Sequence, residues 1–187
     1  MTAIIFILGL YFLIYLIGGF PSAYIVTKLV KGKDITKIGS GNVGARNVFE
    51  NVDKTLGIIT LLLDFGKAAI AHLIYAKFEL FFLLSLLMLV LGHNFSPYLK
   101  FKGGKGLATS IFFVFLENPF FIFLALAIYG LLSIFFKKMS LKVNIAIIIL
   151  LILLNIYIEK DILTSIVLYM ALTIKWLPNP KHSRKLH

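Results

Sequence analysis

The sequence predicts an all-α polytopic membrane protein with seven transmembrane helices. Hydrophobic residues make up 60% of the 187-residue chain, charged residues make up 14%, and the mean hydropathy is +0.97, far above that of soluble domains. Seven apolar stretches follow one another, and basic residues concentrate in alternate gaps between them. Seven spans of about 20 residues leave little chain for loops. We therefore predict a single integral membrane domain over 1–187, with functional residues in short loops and at helix ends.

The apolar stretches are long enough for helices, although some are short for a full span. They cover 3–27, 55–76, 78–92, 107–116, 119–136, 143–158 and 162–177. We predict that the first is a retained helix, kinked near Gly18, Gly19 and Pro21, because it lacks the basic start of a signal peptide. A re-entrant 107–116 is the alternative, but it would reverse all following loops and destroy the charge pattern.

The distribution of Lys and Arg predicts the topology. Sixteen of the 19 basic residues lie in the gaps 28–54, 100–105 and 137–142 and in the tail from Lys175, whereas the other gaps together hold two. Because cytoplasmic loops are enriched in Lys and Arg, we predict an outside N-terminus and a cytoplasmic C-terminus in the plasma membrane. Topology and anionic head groups of membrane lipid account for most of the net charge of +11, so we expect no nucleic-acid partner.

The first unusual loop is glycine-rich and runs through Gly39–Asn47, before an apolar helix. Its three glycines permit positive φ angles and close backbone approach. Ser40, Asn42 and Asn47 supply short polar groups that cap a helix or contact a ligand. Two interpretations stay open: a phosphate-binding nest reinforced by Arg46, or an ordinary loop that ends in a helix cap.

The second unusual loop, 92–110, also enters an apolar helix and contains the run FKGGKG. It is not a nucleotide-binding Walker A loop, because Lys105 is followed by Gly106 rather than by Ser or Thr. The glycines beside Lys102 and Lys105 let both lysines approach a phosphate, and the next helix N-terminus adds a favourable dipole. The alternative is a flexible turn with lysines on the cytoplasmic side.

Three other ionisable residues stand near these loops or within a span. His93 is a candidate general base or phosphate partner, or a structural histidine. Asp64 and Lys67 lie three residues apart in the second span, which predicts an ion pair, a polar wall of the site or a direct catalytic part. No histidine or carboxylate spacing suits a metal, so we predict no bound metal and no cofactor.

Both loops carry signatures of a known family. Ser40–Asn47 resembles Ser-Gly-Asn-x-Gly-Ala-x-Asn, and Gly92–Thr109 resembles Gly-His-x-(aromatic) followed by Phe-Lys-Gly-Gly-Lys-Gly-(aliphatic)-Ala-Thr. The stretch Leu63–Lys67 is also similar. The sequence thus resembles the bacterial acyl-phosphate-dependent glycerol-3-phosphate acyltransferases to about residue 175.

The resemblance implies transfer of a fatty acyl group from acyl-phosphate to the 1-hydroxyl of glycerol 3-phosphate, giving lysophosphatidic acid and phosphate. It assigns the acyl-phosphate to the first loop and glycerol 3-phosphate to the second loop. The implied catalytic residues are Ser40, Asn42, His93 and Lys105. The implied substrate-binding residues are Gly41, Gly44, Asn47, Lys102, Gly103, Gly104 and Asn179. Arg46 and His182 are added as substrate-binding candidates from this sequence itself. We expect a monomer whose site faces the cytoplasm.

Some signature positions depart from the family pattern. The family often has Thr at the position of Arg46 and Arg at the position of Glu50. Its C-terminal signature has His and Arg shortly before an Asn, which aligns with Asn179, but Trp176 and Leu177 occupy the basic positions. Arg46 would compensate for the missing Arg at position 50 by reaching the phosphate itself, with Glu50 holding its guanidinium in an ion pair.

His182 or Lys181 would compensate for the degraded C-terminal signature. The departures keep a second hypothesis open, in which the protein is a noncatalytic paralogue, or one of altered specificity, that binds lipid phosphates. A small transporter for an anionic solute is a third hypothesis, although neither inverted repeats nor a polar midplane helix is evident.

Overall fold

The computed structural model describes residues 2–117, together with 119 and 123, and these residues form helices and loops without a strand. The helices are α1 (Thr2–Gly19), α2 (Ser22–Lys31), α3 (Ala45–Asn51), α4 (Lys54–Lys77), α5 (Phe82–Asn94) and α6 (Leu107–Glu117). Short 3₁₀ turns follow α2 at Ile35–Lys37 and α5 at Pro97–Leu99. Three segments are long and apolar enough to cross a membrane: Thr2–Lys31, Lys54–Lys77 and Phe82–Leu99. The spans predicted at 143–158 and 162–177, with Asn179 and His182, lie outside the described residues, and so does the span predicted at 119–136 apart from residues 119 and 123.

The first apolar stretch is broken at Phe20 and Pro21, at the place where the sequence predicts a kink. The Ser22 N–H donates to the Phe20 carbonyl at 3.0 Å, and Pro21 has φ −88° and ψ 67°, which is an inverse γ-turn. Because proline has no N–H, α1 ends here. The stretch therefore forms two helices rather than one bent helix.

Helices α1 and α5 pack with their backbones in contact. A Cβ atom at Gly18 would lie 2.2 Å from the Leu89 carbonyl oxygen, and one at Gly92 would lie 2.0 Å from the Tyr15 carbonyl oxygen. The Tyr15 hydroxyl donates to the Phe95 carbonyl at 2.8 Å, just beyond the end of α5. Small residues permit such close helix pairs in membranes. The pairing brings the end of α1 beside the start of the second glycine loop.

Helix α4 begins at a capped N-terminus on the side of the first glycine loop. The Leu56 N–H donates to the Asp53 carboxylate at 3.1 Å, and Lys31 lies 3.5 Å from the same carboxylate. The hydrogen bond from Leu56 lowers the pKa of Asp53, with Lys31 adding to the effect. The cap therefore stabilises α4 above the ordinary carboxyl pKa, and this stabilisation is lost as the pH falls through the lowered value.

The segment after the first glycine loop differs from the prediction. The loop leads into α3, a separate helix of seven residues that begins at Ala45, before the apolar α4. Helix α3 packs on α4 so closely that a Cβ at Gly57 would lie 2.5 Å from the Phe49 Cβ. A small apolar cluster lies beneath the loop and includes Ile35, Val43 and Val48. The loop thus has its own core, which the polar signature residues did not reveal.

Candidate active site

The two glycine loops meet at one end of the helix bundle. The Gly104 N–H donates to the His93 carbonyl at 3.0 Å. A Cβ at Gly104 would lie 2.6 Å from the carbonyl oxygen of Val43 in the first loop and 2.1 Å from the His93 Nε2. Any side chain at position 104 would therefore separate the loops. Glycine is required at position 104 because the neighbouring atoms leave no room for a Cβ, and not because the backbone needs a special conformation.

A cleft lies where the loops, the break between α1 and α2, and the middle of α4 converge. It encloses about 200 Å³ of empty space, including its open mouth. Its lining residues are Gly19, Phe20, Pro21, Ser22, Val43, Asp64, Lys67, His93, Ser96, Leu99, Gly103 and Gly104. Of the predicted site residues, the structure brings His93, Gly103 and Gly104 directly to this cleft.

The first loop is organised by the buried side chain of Asn47. Its Nδ2 donates to the carbonyls of Ile38 and Asn42, each at 3.0 Å. Its Oδ1 accepts from the Ser40 N–H at 3.2 Å and from the Asn51 Nδ2 at 3.0 Å. A side chain engaged in this way fixes the loop backbone, and a Cβ at Gly39 would collide with it at 2.5 Å.

The other predicted residues of the first loop lie on its surface or at the start of α3. Ser40 is exposed, and its Oγ accepts a long hydrogen bond from the Asn42 N–H at 3.4 Å. Gly41 has φ +69°, and its N–H donates to Ile38 at 2.9 Å, which closes a turn. Gly44 precedes α3 in an extended conformation, with no side-chain cap. The loop therefore presents backbone and short polar groups beside Val43.

The second loop is anchored on the end of α1. The Ser96 hydroxyl donates to the Gly19 carbonyl, and the N–H groups of Leu99 and Phe101 donate to the Ser96 carbonyl. Lys100 and Phe101 have φ angles of +53° and +59°, a left-handed conformation that costs energy for non-glycine residues. The packing of the loop on α1 holds this strained turn.

His93 lies at the end of α5 and is buried. Its Nδ1 is 3.2 Å from the Thr109 Oγ1 on α6, and its Nε2 edge faces the Gly104 backbone. Lys102 is exposed and Lys105 is half-buried, on either side of the glycines that line the cleft. Among the described residues, no three His, Asp or Glu side chains are grouped as a metal site would require.

Asp64 and Lys67 form the predicted ion pair, with 2.9 Å between the Nζ and Oδ1 atoms. Both side chains are buried, with exposed fractions of 3% for Asp64 and 6% for Lys67. The Ser22 hydroxyl also donates to Asp64, at 3.0 Å, and the Lys67 ammonium donates to the Phe20 carbonyl at 2.9 Å. The sequence did not predict that Ser22 and the Phe20 carbonyl would bind this pair. Pro21 was the only signal, because a proline leaves a nearby carbonyl without its helical hydrogen bond.

Arg46 and Glu50 form the ion pair expected from their spacing, with 2.8 Å between the Nε and Oε1 atoms. The hydrogen bond that Arg46 donates to the Glu50 carboxylate raises the pKa of Arg46. The Arg46 side chain is 87% exposed on α3 and is not part of the cleft lining. The pair holds a cation at the rim of the first loop rather than inside the cleft.

Comparison with known proteins identifies the family. A family profile described as glycerol-3-phosphate acyltransferase matches residues 8–185. The chain belongs to this family. The resemblance seen in the sequence is therefore confirmed, and all three segments that carry it contribute residues to the cleft.

Several glycerol-3-phosphate acyltransferases show the extent of the similarity. The protein from Pelagibacter ubique is 47% identical over 108 residues, which cover 57% of this chain and 56% of that protein. The one from Ehrlichia canis is 34% identical over 170 residues, which cover 88% of both chains. The Endomicrobium trichonymphae protein matches at 43% identity over 65% of its length. This chain therefore spans less than two thirds of the Pelagibacter and Endomicrobium proteins, whereas it spans 88% of the Ehrlichia protein.

Two crystal structures of PlsY (YgiH), described as an integral membrane glycerol 3-phosphate acyltransferase, share the fold. The glycerol 3-phosphate form has a TM-score of 0.74 at 29% identity, covering 90% of this chain and 86% of that one. The lysophosphatidic acid form has a TM-score of 0.72 at 27% identity, with 96% and 91% coverage. Like PlsY, the present chain is a membrane protein, and its described residues form helices without strands.

Proposed function

We propose that the protein transfers an acyl group from acyl-phosphate to the 1-hydroxyl of glycerol 3-phosphate, giving lysophosphatidic acid and inorganic phosphate. The observation that carries the proposal is the contact between the two signature loops, through Val43 and Gly104, at one cleft beside an apolar helix. An enzyme that joins a lipid-soluble donor to a water-soluble acceptor needs a site at the boundary between the membrane and water.

The chemistry requires little from the protein beyond position and charge. Acyl-phosphate is a mixed anhydride and is already activated, so the site needs to hold two phosphates and stabilise charge on the carbonyl oxygen. A protein nucleophile is not needed. Ser40 is a weaker candidate for an acyl-enzyme, because the described residues place no base within hydrogen-bond distance of its hydroxyl.

The loop geometry and the family signatures support the following substrate contacts. We assign the phosphate of the donor to the backbone and short polar groups of the first loop, between Ser40 and Gly44. We assign the phosphate of glycerol 3-phosphate to Lys105, with Lys102 assisting and Arg46 at the rim of the first loop. Asn179 and His182, outside the described residues, stay proposed as further substrate-binding residues. Asn47 acts by fixing the first loop, and His93 orients a hydroxyl or phosphate oxygen.

The proposed setting is the plasma membrane, with seven spans, both loops on the cytoplasmic side and one chain sufficient for activity. Support for the orientation comes from the basic residues around both loops. The turn between α4 and α5, at the opposite end of these helices, has Lys77 as its one basic residue.

The direct test is an assay of the purified protein in detergent or lipid, with palmitoyl-phosphate and labelled glycerol 3-phosphate and without ATP or metal. We expect lysophosphatidic acid and an equal amount of phosphate. Palmitoyl-CoA in a parallel reaction tests the donor. No product, under conditions in which a family member is active, would favour a noncatalytic paralogue that binds lipid phosphates, and efficient use of palmitoyl-CoA would overturn the donor assignment.

A further inference from the structure

The buried Lys67 ammonium is the feature that the proposed function leaves unused. It lies about 20 Å along α4 from Lys54, well inside an apolar span, where a charge is costly. Two of its three N–H donors are accounted for, by the Asp64 carboxylate and the Phe20 carbonyl, each at 2.9 Å. Among the described residues no partner is recorded for the third donor, and Lys67 lines the cleft.

The position of Lys67 matches the carbonyl group of an acyl donor. The cleft that it lines also contains Val43 and Gly104, one from each glycine loop. On the same helix, Leu63 and Ile70 are 41% and 51% exposed and would face lipid. A donor whose phosphate lies at the loops and whose chain lies in lipid has its carbonyl at this boundary.

The charge balance at Lys67 selects between a phosphate and a carbonyl oxygen as its ligand. Asp64 lies in direct contact with the ammonium, so a phosphate dianion at Lys67 would also approach a carboxylate. A carbonyl oxygen carries no net charge in the ground state and becomes negative only as the hydroxyl attacks. An ammonium in this environment therefore favours the transition state over the bound substrate.

We propose that Lys67 is a further catalytic residue, whose third N–H donates to the carbonyl oxygen of the acyl-phosphate and stabilises the oxyanion. Asp64 and the Phe20 carbonyl orient the ammonium, and Ser22 orients Asp64. The inference rests on the proposed function, because it needs an acyl donor in the cleft.

The step balances without any other reactant. The 1-hydroxyl oxygen of glycerol 3-phosphate forms a bond to the acyl carbon, and the electron pair of the carbonyl moves onto its oxygen, which Lys67 stabilises. The carbonyl then re-forms, the bond between the acyl carbon and the phosphate oxygen breaks, and the phosphate leaves with that electron pair. The hydroxyl proton ends on the phosphate, and Lys67 keeps all its protons.

The test uses variants that remove both charges together, since Lys67→Met alone would leave a buried unpaired carboxylate. Asp64→Asn with Lys67→Met is one neutral pair, and Asp64→Asn with Lys67→Gln is a second that keeps hydrogen-bonding groups. Thr60→Val, one turn before Asp64, is the matched control, because its buried hydroxyl donates only to Leu56 of its own helix at 2.7 Å. Folding is checked by thermal unfolding and gel filtration in detergent.

We expect both double variants to fold and to lose about 100-fold to 1,000-fold in kcat, with the KM values for both substrates within about threefold of wild type. A kcat near that of wild type would show that the pair is only structural, and a raised KM with unchanged kcat would show a ground-state contact instead. Failure of both double variants to fold, with Thr60→Val folded, would also overturn the proposal in favour of a structural pair. An inactive wild-type protein would refute the proposed function itself, which separates the two failures.

Discussion

Asn47 shows how one buried amide shapes a binding loop. Its two ends serve carbonyls and N–H groups over residues 38–51, so the loop keeps one backbone conformation without a larger core. The sequence predicted Asn47 as a helix cap or a ligand contact, but the structure places it in the first turn of α3, where its buried side chain holds the loop. Its effect on a bound phosphate would therefore pass through the loop backbone.

The role of Lys105 is tested by its truncation. Lys105→Ala removes an ammonium that we assign to glycerol 3-phosphate, and a charge-assisted contact contributes about 1.5 to 3 kcal/mol. We expect at least a tenfold to hundredfold loss in kcat/KM for glycerol 3-phosphate, with an unchanged unfolding temperature. Lys105→Arg should recover little, because its planar group is larger and differently aimed. Near-native turnover of the alanine variant would show that the loop is only a topological turn.

The Arg46–Glu50 pair allows a second test with single residues, of whether Arg46 contacts the substrate phosphate. If Arg46 reaches the substrate phosphate, Arg46→Thr should raise the KM for glycerol 3-phosphate by tenfold or more. The double change Arg46→Thr with Glu50→Arg should restore a good part of the affinity, because it moves the cation by only about 6 Å along α3. Unchanged kinetics in Arg46→Thr would identify Arg46 as a cytoplasmic-side charge without contact to substrate.

At the scale of helices, the close contact of α1 with α5 positions the cleft. Gly92→Ala would place a Cβ 2.0 Å from the Tyr15 carbonyl and force the helices apart. We expect a loss of about 1 to 3 kcal/mol in stability and a much larger fall in activity, because His93 and Ser96 follow directly. Gly9→Ala is the control, since its Cβ would meet nothing within 4 Å. Equal unfolding temperatures of both variants in a light-scattering assay would contradict this packing.

The elements that sequence predicts best are those set by composition. The bounds of α4, Lys54–Lys77, agree closely with the predicted 55–76, because charged residues at both ends of a long apolar run mark where the helix begins and ends. A helix starting near Asn47 was expected from the spacing of Arg46 and Glu50, but its separation from α4 was not, because its seven residues are mixed in polarity and pack on Gly57. The Asp64–Lys67 pair was predicted from spacing, whereas its link to Phe20 required knowledge of how α2 lies beside α4.

At the scale of the whole molecule, the orientation in the membrane can be checked with single cysteines, since the chain has none. Lys33, Tyr98 and Glu79 are exposed, the first two on the sides of the glycine loops and the third in the turn after α4. An impermeant thiol reagent applied to intact cells should label Glu79→Cys only. In inverted vesicles it should label Lys33→Cys and Tyr98→Cys. Labelling of either of these two from outside would reverse the topology.

The arrangement of the site is tested most directly by a structure determined with glycerol 3-phosphate bound. We predict phosphate density within hydrogen-bond distance of the Lys105 ammonium, with the 1-hydroxyl directed into the cleft lined by His93, Gly104 and Lys67. Density for the phosphate at the opposite end of the helices, or with the 1-hydroxyl directed away from this cleft, would contradict the proposal that both glycine loops form one active site.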